Sequence, residues 1–122
     1  MKKKIRVLVC GSRDWTDKAA IRRELTKLKD KIEIVIDGAC RGADTLAHRI
    51  AKRELQLPTR RFYAAWLHFG RSAGPIRNKR MLDIGKPDLV LAFHEDIENS
   101  SGTINMISIA RRAGIKVRIY ES

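Results

Sequence analysis

Strand-like and helix-like segments alternate along this chain from one end to the other. Five short runs rich in β-branched and other apolar residues are predicted strands: residues 4–10, 31–37, 59–65, 88–93 and 116–120. Between them, apolar residues recur at helical spacing in stretches that begin near Thr16 or Asp17, at Gly42, at Pro75 and near Thr103. This alternation predicts a Rossmann-like α/β sandwich of three layers. Helices would cover both faces of a five-stranded parallel sheet of order 3-2-1-4-5.

The length and the two cysteines bound the organisation of the chain. A chain of 122 residues is long enough for one domain, residues 1–122, whose core needs neither a disulfide nor a metal. Cys10 and Cys40 form no CxxC pair, so we expect two buried thiols, no metal site and no cofactor. The lack of a disulfide framework and of any long apolar run predicts a cytoplasmic protein without a membrane partner.

The charge of the chain favours anionic partners. Lysine and arginine number 26 against 14 acidic residues, which gives a net charge of +12. Such a balance is typical of proteins that bind nucleotides or nucleic acid. A solvated basic surface without a partner explains the charge equally well.

Unusual residues concentrate in the four loops that follow the first four predicted strands. These tips read GSRDW, DGACRGAD, WLHFGRSAGPIRN and ENSSGT. Ligands of parallel α/β sheets bind beyond the carboxyl ends of the strands, which is where these tips lie. Glycine and small polar residues before a helix leave backbone amides for a phosphate. Three tips fit this description, at Gly11–Ser12, at Gly38–Ala39 with Gly42, and at Ser100, Ser101, Gly102 and Thr103.

None of the three tips is a dinucleotide fingerprint or a P-loop, and each one alone is also consistent with a simple tight turn. Arg13, Arg41 and Arg77 lie in the same tips and can grip phosphate bidentately. Asp44 is either a helix cap, an acceptor for ribose hydroxyls or a carboxylate near a glycosidic bond. Trp15 and Trp66 either stack on a base or fill the core.

The motifs together resemble a known family. GSRDW, GACRGADTLA, AGPIRNKRM, LAF and SSGT occur in the order and spacing of the YspA-like (YAcAr) family of the SLOG superfamily, over about residues 6–119. The superfamily is named after the Smf/DprA DNA-processing proteins and the LOG phosphoribohydrolases. The resemblance implies a Rossmann-like domain that binds a nucleotide or nucleotide-derived ligand, with roles that include sensing in phage–host conflict systems. The positions that match the family are Gly11, Ser12, Arg13, Gly38, Arg41, Gly42, Asp44, Gly74, Arg77, Asn78, Gly102 and Thr103.

The chain departs from the LOG enzymes at a decisive position. Residues 77–81 resemble their RKxxM helix, which bears a catalytic arginine, and NSSGTINM resembles their PGGxGTxxE segment. Met106 stands where those enzymes carry the catalytic glutamate, and a methionine can neither act as a base nor stabilise an oxocarbenium-like transition state. Asp44, Glu95 or Glu98 would have to replace it.

Three functions remain open from the sequence. The first is binding, either sensing or sequestration, of a nucleotide or nucleotide-derived ligand at the tips, with Asp14 orienting Arg13. The second is a nucleoside 5′-monophosphate N-glycosidase that uses Asp44 and Arg77. The third is DNA or RNA binding through the basic surface. Dimers are common among LOG enzymes, so the resemblance also admits a homodimer, although no apolar stripe in the sequence marks an interface.

Overall fold

The computed structural model describes residues 3–122 and contains a five-stranded sheet. Its strands pair in parallel in the order β3-β2-β1-β4-β5, which confirms the predicted fold class and strand order. The strands are β1 (Ile5–Gly11), β2 (Ile32–Asp37), β3 (Thr59–Arg61), β4 (Leu89–Phe93) and β5 (Lys116–Tyr120).

Helices connect successive strands within the described residues. Asp17 caps the first helix by accepting the amide of Ala20, and Ser100 caps the last by accepting the amide of Thr103. The helices are α1 (Lys18–Leu28), α2 (Ala43–Arg49), α3 (Trp66–Phe69), α4 (Ala73–Asp83) and α5 (Ser101–Arg112). A π-helical turn (Ile50–Glu54) extends α2, and short 3-10 turns occupy Lys29–Lys31, Gly70–Ser72 and Ile97–Asn99.

The sheet separates two hydrophobic clusters. Side chains alternate along β1, so Val7 and Val9 join one cluster while Leu8 and Cys10 join the other. Helices α1 and α2 cover the first cluster, and α4 and α5 cover the second. All of β4 is buried, as expected for a strand covered on both faces.

The third strand and the segment after it differ from the prediction. The run 59–65 was expected to be one strand, but β3 ends at Arg61. Phe62 follows the strand, donates its amide to the Asp37 carbonyl of β2 at 2.9 Å and is buried, with the guanidinium of Arg60 lying 4.6 Å from its ring centroid. The loop expected at residues 66–75 instead forms α3 and a 3-10 turn, and α4 begins two residues before Pro75. Proline is tolerated there because first-turn amides lack an intrahelical acceptor.

None of the helices among residues 3–122 has the length and apolar character needed to cross a membrane.

Candidate functional site

A continuous trough lies at the carboxyl ends of the strands, where β1 and β4 are neighbours and their following helices diverge to opposite faces of the sheet. It has three parts that share Arg13. The acidic arm, about 520 Å³, includes Asp14, Glu95 and Asp96. The basic arm, about 330 Å³, includes Arg41, Tyr63, Trp66 and Arg77. The inner cavity beneath them, about 70 Å³, includes Asp44, Asn78 and Met106.

Close backbone contact holds the first two tips together. The amide of Ala43 donates to the carbonyl of Ser12 at 3.0 Å, and Gly42 has a positive φ of 77°. A Cβ on Gly42 would lie 2.2 Å from that carbonyl oxygen, and one on Gly11 would lie 2.0 Å from the carbonyl oxygen of Phe93. These two glycines therefore allow the tips to meet.

Arg77 forms one wall of the trough and is only 7% exposed. Its Nε donates to Asn78 Oδ1 at 2.9 Å, and its Nη1 donates to the Gly38 carbonyl at 2.5 Å. Within residues 3–122 it forms no ion pair with a carboxylate. A buried guanidinium whose charge is not directly paired is costly unless an anion approaches it.

Asp44 faces the same inner cavity and is 4% exposed. Its Oδ2 accepts the amide of Gly38 at 2.8 Å and lies 3.5 Å from the amide of Cys40. Burial, with a further contribution from the charge of Asp37, raises the pKa of Asp44 to about 7. Its carboxyl therefore ties the second tip to the start of α2, but it accepts no amide of the helix itself and Gly42 is the N-cap residue, so Asp44 is not a helix cap.

Asp44 and Arg77 lie on either side of Gly38. A Cβ at Gly38 would come within 3.0 Å of Asp44 Oδ2 and 2.9 Å of Arg77 Nη1. The absence of a side chain at this position lets an acid and a base approach the same point of the backbone.

The backbone amides of the second tip are already occupied. Gly38 donates to Asp44, and Ala39 donates to Asp37 Oδ1 at 2.7 Å. The expectation that this tip offers free amides to a phosphate is wrong at these two positions, because buried carboxylates accept them first.

The fourth tip, unlike the second, has backbone amides that are free to bind a ligand. Ser100 Oγ accepts the amide of Thr103, and in the described part of the chain the amides of Ser101 and Gly102 have no acceptor. A Cβ added to Gly102 would meet open space. This helix start is therefore open to a ligand in the acidic arm.

The two exposed arginines of the tips approach different partners. Arg41, whose side chain is 72% exposed, lies 3.7 Å from Asp14 Oδ1, whereas Arg13 lies 5.7 Å from the ring centroid of Trp66. Asp14 was expected to orient Arg13. That expectation is wrong, since its ion pair is with Arg41.

The two tryptophans have opposite environments. Trp15 is 4% exposed, donates from Nε1 to the Asp17 carbonyl at 2.9 Å and packs at 5.6 Å from the ring centroid of Phe93. The prediction that Trp15 stacks on a base is wrong, because the core covers its ring. Trp66 is 46% exposed in the basic arm and keeps a face free for stacking.

Ser12 links the first tip to the loop after β4. Its Oγ donates to Glu95 Oε1 at 2.7 Å and accepts the amide of Asp14 at 2.9 Å. The hydrogen bond from Ser12 lowers the pKa of Glu95, so this carboxylate is charged at neutral pH. Sequence reasoning named Glu95 only as a substitute catalytic acid, although its place two residues after the end of β4 predicts a site position.

Asn78 joins α4 to α5. It is buried, and its Nδ2 donates to the Gly102 carbonyl at 3.2 Å and to Asn105 Oδ1 at 3.0 Å. Gly74, one turn earlier, lies beside Trp66, whose ring would be 3.4 Å from an added Cβ. Asn78 thus positions the guanidinium of Arg77 and the fourth tip together.

Met106 and the cysteines complete the inner cavity. Met106 is fully buried there, so its thioether brings no ionisable group to the position of the LOG glutamate. Cys10 is buried as predicted, and burial raises the pKa of its thiol. Cys40 is only partly buried, contrary to the prediction, and its Sγ lies 3.5 Å from Arg77 Nη1. Its position beside Arg41 in the tip was the signal that sequence reasoning missed.

Among residues 3–122, no three His, Cys, Asp or Glu side chains lie close enough together to hold a metal ion.

Fold and trough together define a Rossmann-like protein with a ligand-sized cleft at the point where the strand order reverses. The chain belongs to the YspA, cpYpsA-related SLOG family (YAcAr), whose family model matches residues 5–69. The match includes the first two tips and Trp66. No curated protein matches the chain. Membership of the SLOG family is consistent with a nucleotide-related ligand.

Proposed function

We propose that this protein binds a nucleotide or a nucleotide-derived ligand in the trough, as a sensor or a sequestering protein. The observation that carries the proposal is Arg77, a buried guanidinium without a carboxylate partner in the described chain, at the junction of the basic arm and the inner cavity. A phosphate bound there would receive charge-assisted hydrogen bonds in a site of low dielectric. On this proposal, residues 1–122 act as one ligand-binding domain.

The geometry supports distinct roles around the ligand. Arg13 and Arg41 flank the basic arm and would add charge to the phosphate site. Trp66 offers a half-exposed ring to a base. Glu95, charged and hydrogen-bonded to Ser12, would accept ribose hydroxyls in the acidic arm. Asp44 lies deeper, in the inner cavity of about 70 Å³ beneath the two arms.

A binding experiment with a matched control tests the proposal. Isothermal titration calorimetry with adenosine and guanosine mono- and diphosphates is carried out on the wild type, on Arg77→Met and on Arg111→Ala. Arg111 is an exposed residue at the end of α5 and lines no part of the trough, so its variant loses the same charge elsewhere. We expect at least one nucleotide to bind the wild type and the Arg111→Ala control. The same nucleotide should bind Arg77→Met about 10- to 100-fold more weakly, because the variant lacks one charged hydrogen-bonded contact.

Two outcomes oppose this proposal. One is that no nucleotide binds the wild type. The other is that Arg77→Met, verified as folded by circular dichroism, binds as tightly as Arg111→Ala. A second variant, Arg77→Lys, keeps the charge without the planar fork and should bind with intermediate affinity.

A hydrolytic function is a second candidate because of one observation. Asp44 has a pKa of about 7 and lines the inner cavity together with Arg77, so its carboxyl can donate a proton at neutral pH. An N-glycosidase of this kind would release a free base from a nucleoside 5′-monophosphate, with water supplying the new bond at the sugar. Chromatography of nucleotide incubations detects the base. Lack of base release, or equal release by wild type and Asp44→Asn, excludes Asp44-dependent hydrolysis.

A further inference from the structure

A second cleft lies on the other side of the first tip, outside the trough. This outer cleft, about 500 Å³, is bounded by the first tip, the start of α1 and helix α2. Arg13 and Arg41 line it as well as the basic arm of the trough. Lys18, the first residue of α1, and Arg49, the last residue of α2, line only the outer cleft among the cavities described above.

The outer cleft carries a surplus of positive charge. Four basic side chains face one carboxylate, Asp14, within its lining. Lys18 and Arg49 form no ion pair with any of the described residues. The nearby carboxylate of Glu54 is held by Arg22, with hydrogen bonds of 2.6 and 3.0 Å.

The lining also strengthens the field of these charges. Trp15 and Leu46 contribute apolar surface to the outer cleft. Charges of one sign beside walls of low dielectric focus the electrostatic potential and attract anions more strongly than the same charges on an open surface. The only opposing ion pair, between Arg41 and Asp14, is 3.7 Å long and mostly exposed, so it neutralises little of the charge.

Because Arg13 and Arg41 lie between the two cavities, one ligand can reach both. On the proposed function, the basic arm would hold the single phosphate of a nucleoside monophosphate. We propose that the outer cleft binds a second anionic group, and that the ligand class is a nucleotide with two or more phosphates. This inference rests on the proposed function of the trough. Lys18 and Arg49 are then the residues that select polyphosphate over monophosphate.

A double variant isolates the outer cleft. AMP and ATP are titrated calorimetrically against the wild type, Lys18→Ala/Arg49→Ala and a control, Arg111→Ala/Arg112→Ala, in 150 mM NaCl. The control removes the same charge from exposed residues at the end of α5. We expect the wild type and the control to bind ATP about tenfold more tightly than AMP, and the cleft variant to lose this preference while its AMP affinity stays within about twofold.

A third probe separates failure of the outer cleft from failure of the trough. Tripolyphosphate has no base or sugar, so its binding to the wild type and its loss in the cleft variant report on the outer cleft alone. If tripolyphosphate behaves in this way but no nucleotide binds, the proposed function fails and the cleft remains a polyphosphate site. If AMP and ATP bind the wild type equally, or the control variant loses as much ATP affinity as the cleft variant, the polyphosphate proposal is overturned and the trough is unaffected.

A last comparison identifies how the second phosphate is presented. The terminal phosphate of ATP has a free end, whereas each phosphate of a diadenosine polyphosphate lies within a bridge between two nucleosides. A cleft that accepts only free terminal phosphates binds ATP but does not bind the diadenosine polyphosphate. A cleft that is open at both ends binds both ligands, and in each case the affinity depends on Lys18 and Arg49.

Discussion

Asp44 combines a structural contact with an unusual protonation state. Its carboxyl accepts the amide of Gly38 while burial raises its pKa from 3.8 to about 7. The folded protein therefore binds more protons than the unfolded chain between these two values. The stability that Asp44 contributes is complete below about pH 4 and is lost as the pH rises through 7.

This loss of stability with rising pH gives a prediction for the Asp44→Asn variant. As the pH rises from 6 to 8, the ionisation of Asp44 should lower the free energy of unfolding of the wild type by roughly 1.4 kcal/mol. Asparagine keeps an acceptor for Gly38 but cannot ionise, so the variant should lack this decline. Urea denaturation of both proteins at several pH values measures the difference. His48, whose pKa burial lowers, titrates in both proteins and cancels in the comparison. Parallel pH profiles would show that Asp44 is already ionised at pH 6.

Gly42 is the backbone position on which the meeting of the first two tips depends. With φ at 77° and the Ser12 carbonyl 2.2 Å from an added Cβ, the Gly42→Ala variant must shift the backbone of one tip. We expect it to lose roughly 2 kcal/mol or more of unfolding free energy. Gly102→Ala is the matched control because a Cβ there meets open space. Its stability should be unchanged or higher by up to about 1 kcal/mol. Equal losses in the two variants would contradict this role of Gly42.

The caps of α1 and α5 allow a prediction about how each helix begins. Asp17 accepts the amide of Ala20 and Ser100 accepts that of Thr103, each at 3.1 Å. Replacing either residue by alanine should cost about 1 kcal/mol of unfolding free energy. Only Asp17 is charged, so the loss in Asp17→Ala should shrink in 1 M NaCl while the loss in Ser100→Ala persists. Chemical denaturation at low and high salt measures both effects, and identical salt responses would argue against a charge–dipole contribution from Asp17.

The sequence predicts the bounds of every strand to within one residue except those of β3, and this includes β5 at the other edge of the sheet. β1 and β4 were predicted to within one residue, because both are central and apolar along their length. At the edge, the apolar residues after Arg61 resemble a continuing strand. Phe62 is buried and still donates its amide to the Asp37 carbonyl of β2, whereas Tyr63 after it is exposed and lines the basic arm of the trough. A run of six or seven residues does not reveal where the pairing with β2 ends.

The local sequence pattern is a good guide to which tips line the candidate site. It is a poorer guide to the contacts of each side chain. The four tips meet at one edge because parallel strands end there. The burial of Trp15 depends on packing against Phe93 at the end of β4, a tertiary contact that residue type and spacing do not reveal. The Gly38 amide is bound by Asp44 six residues later in the same tip, but spacing alone does not tell this local contact from a free amide.

For the whole molecule, the distribution of charge matters more than the net charge of +12. Some cations are paired locally, as Arg22 is with Glu54 and Lys79 is with Asp83. Others, such as Arg111 and Arg112, are exposed at the far end of α5. The cations that line cavities are concentrated around the first two tips. This arrangement favours a small anion in a cleft over a polymer that follows one continuous basic surface.

The alternative of nucleic-acid binding can therefore be tested by its response to salt. An exposed cation surface binds a single-stranded oligonucleotide by releasing counterions, and its affinity falls steeply as NaCl rises from 20 to 150 mM. We expect fluorescence anisotropy to show oligonucleotide binding at low salt and its loss near 150 mM. The proposed nucleotide binding would involve fewer charges and the buried Arg77, so it should persist at that salt concentration. A shallow salt response of the oligonucleotide, with binding that survives 150 mM NaCl and is weakened by Trp66→Ala, would instead indicate a stacked nucleic-acid site in the basic arm.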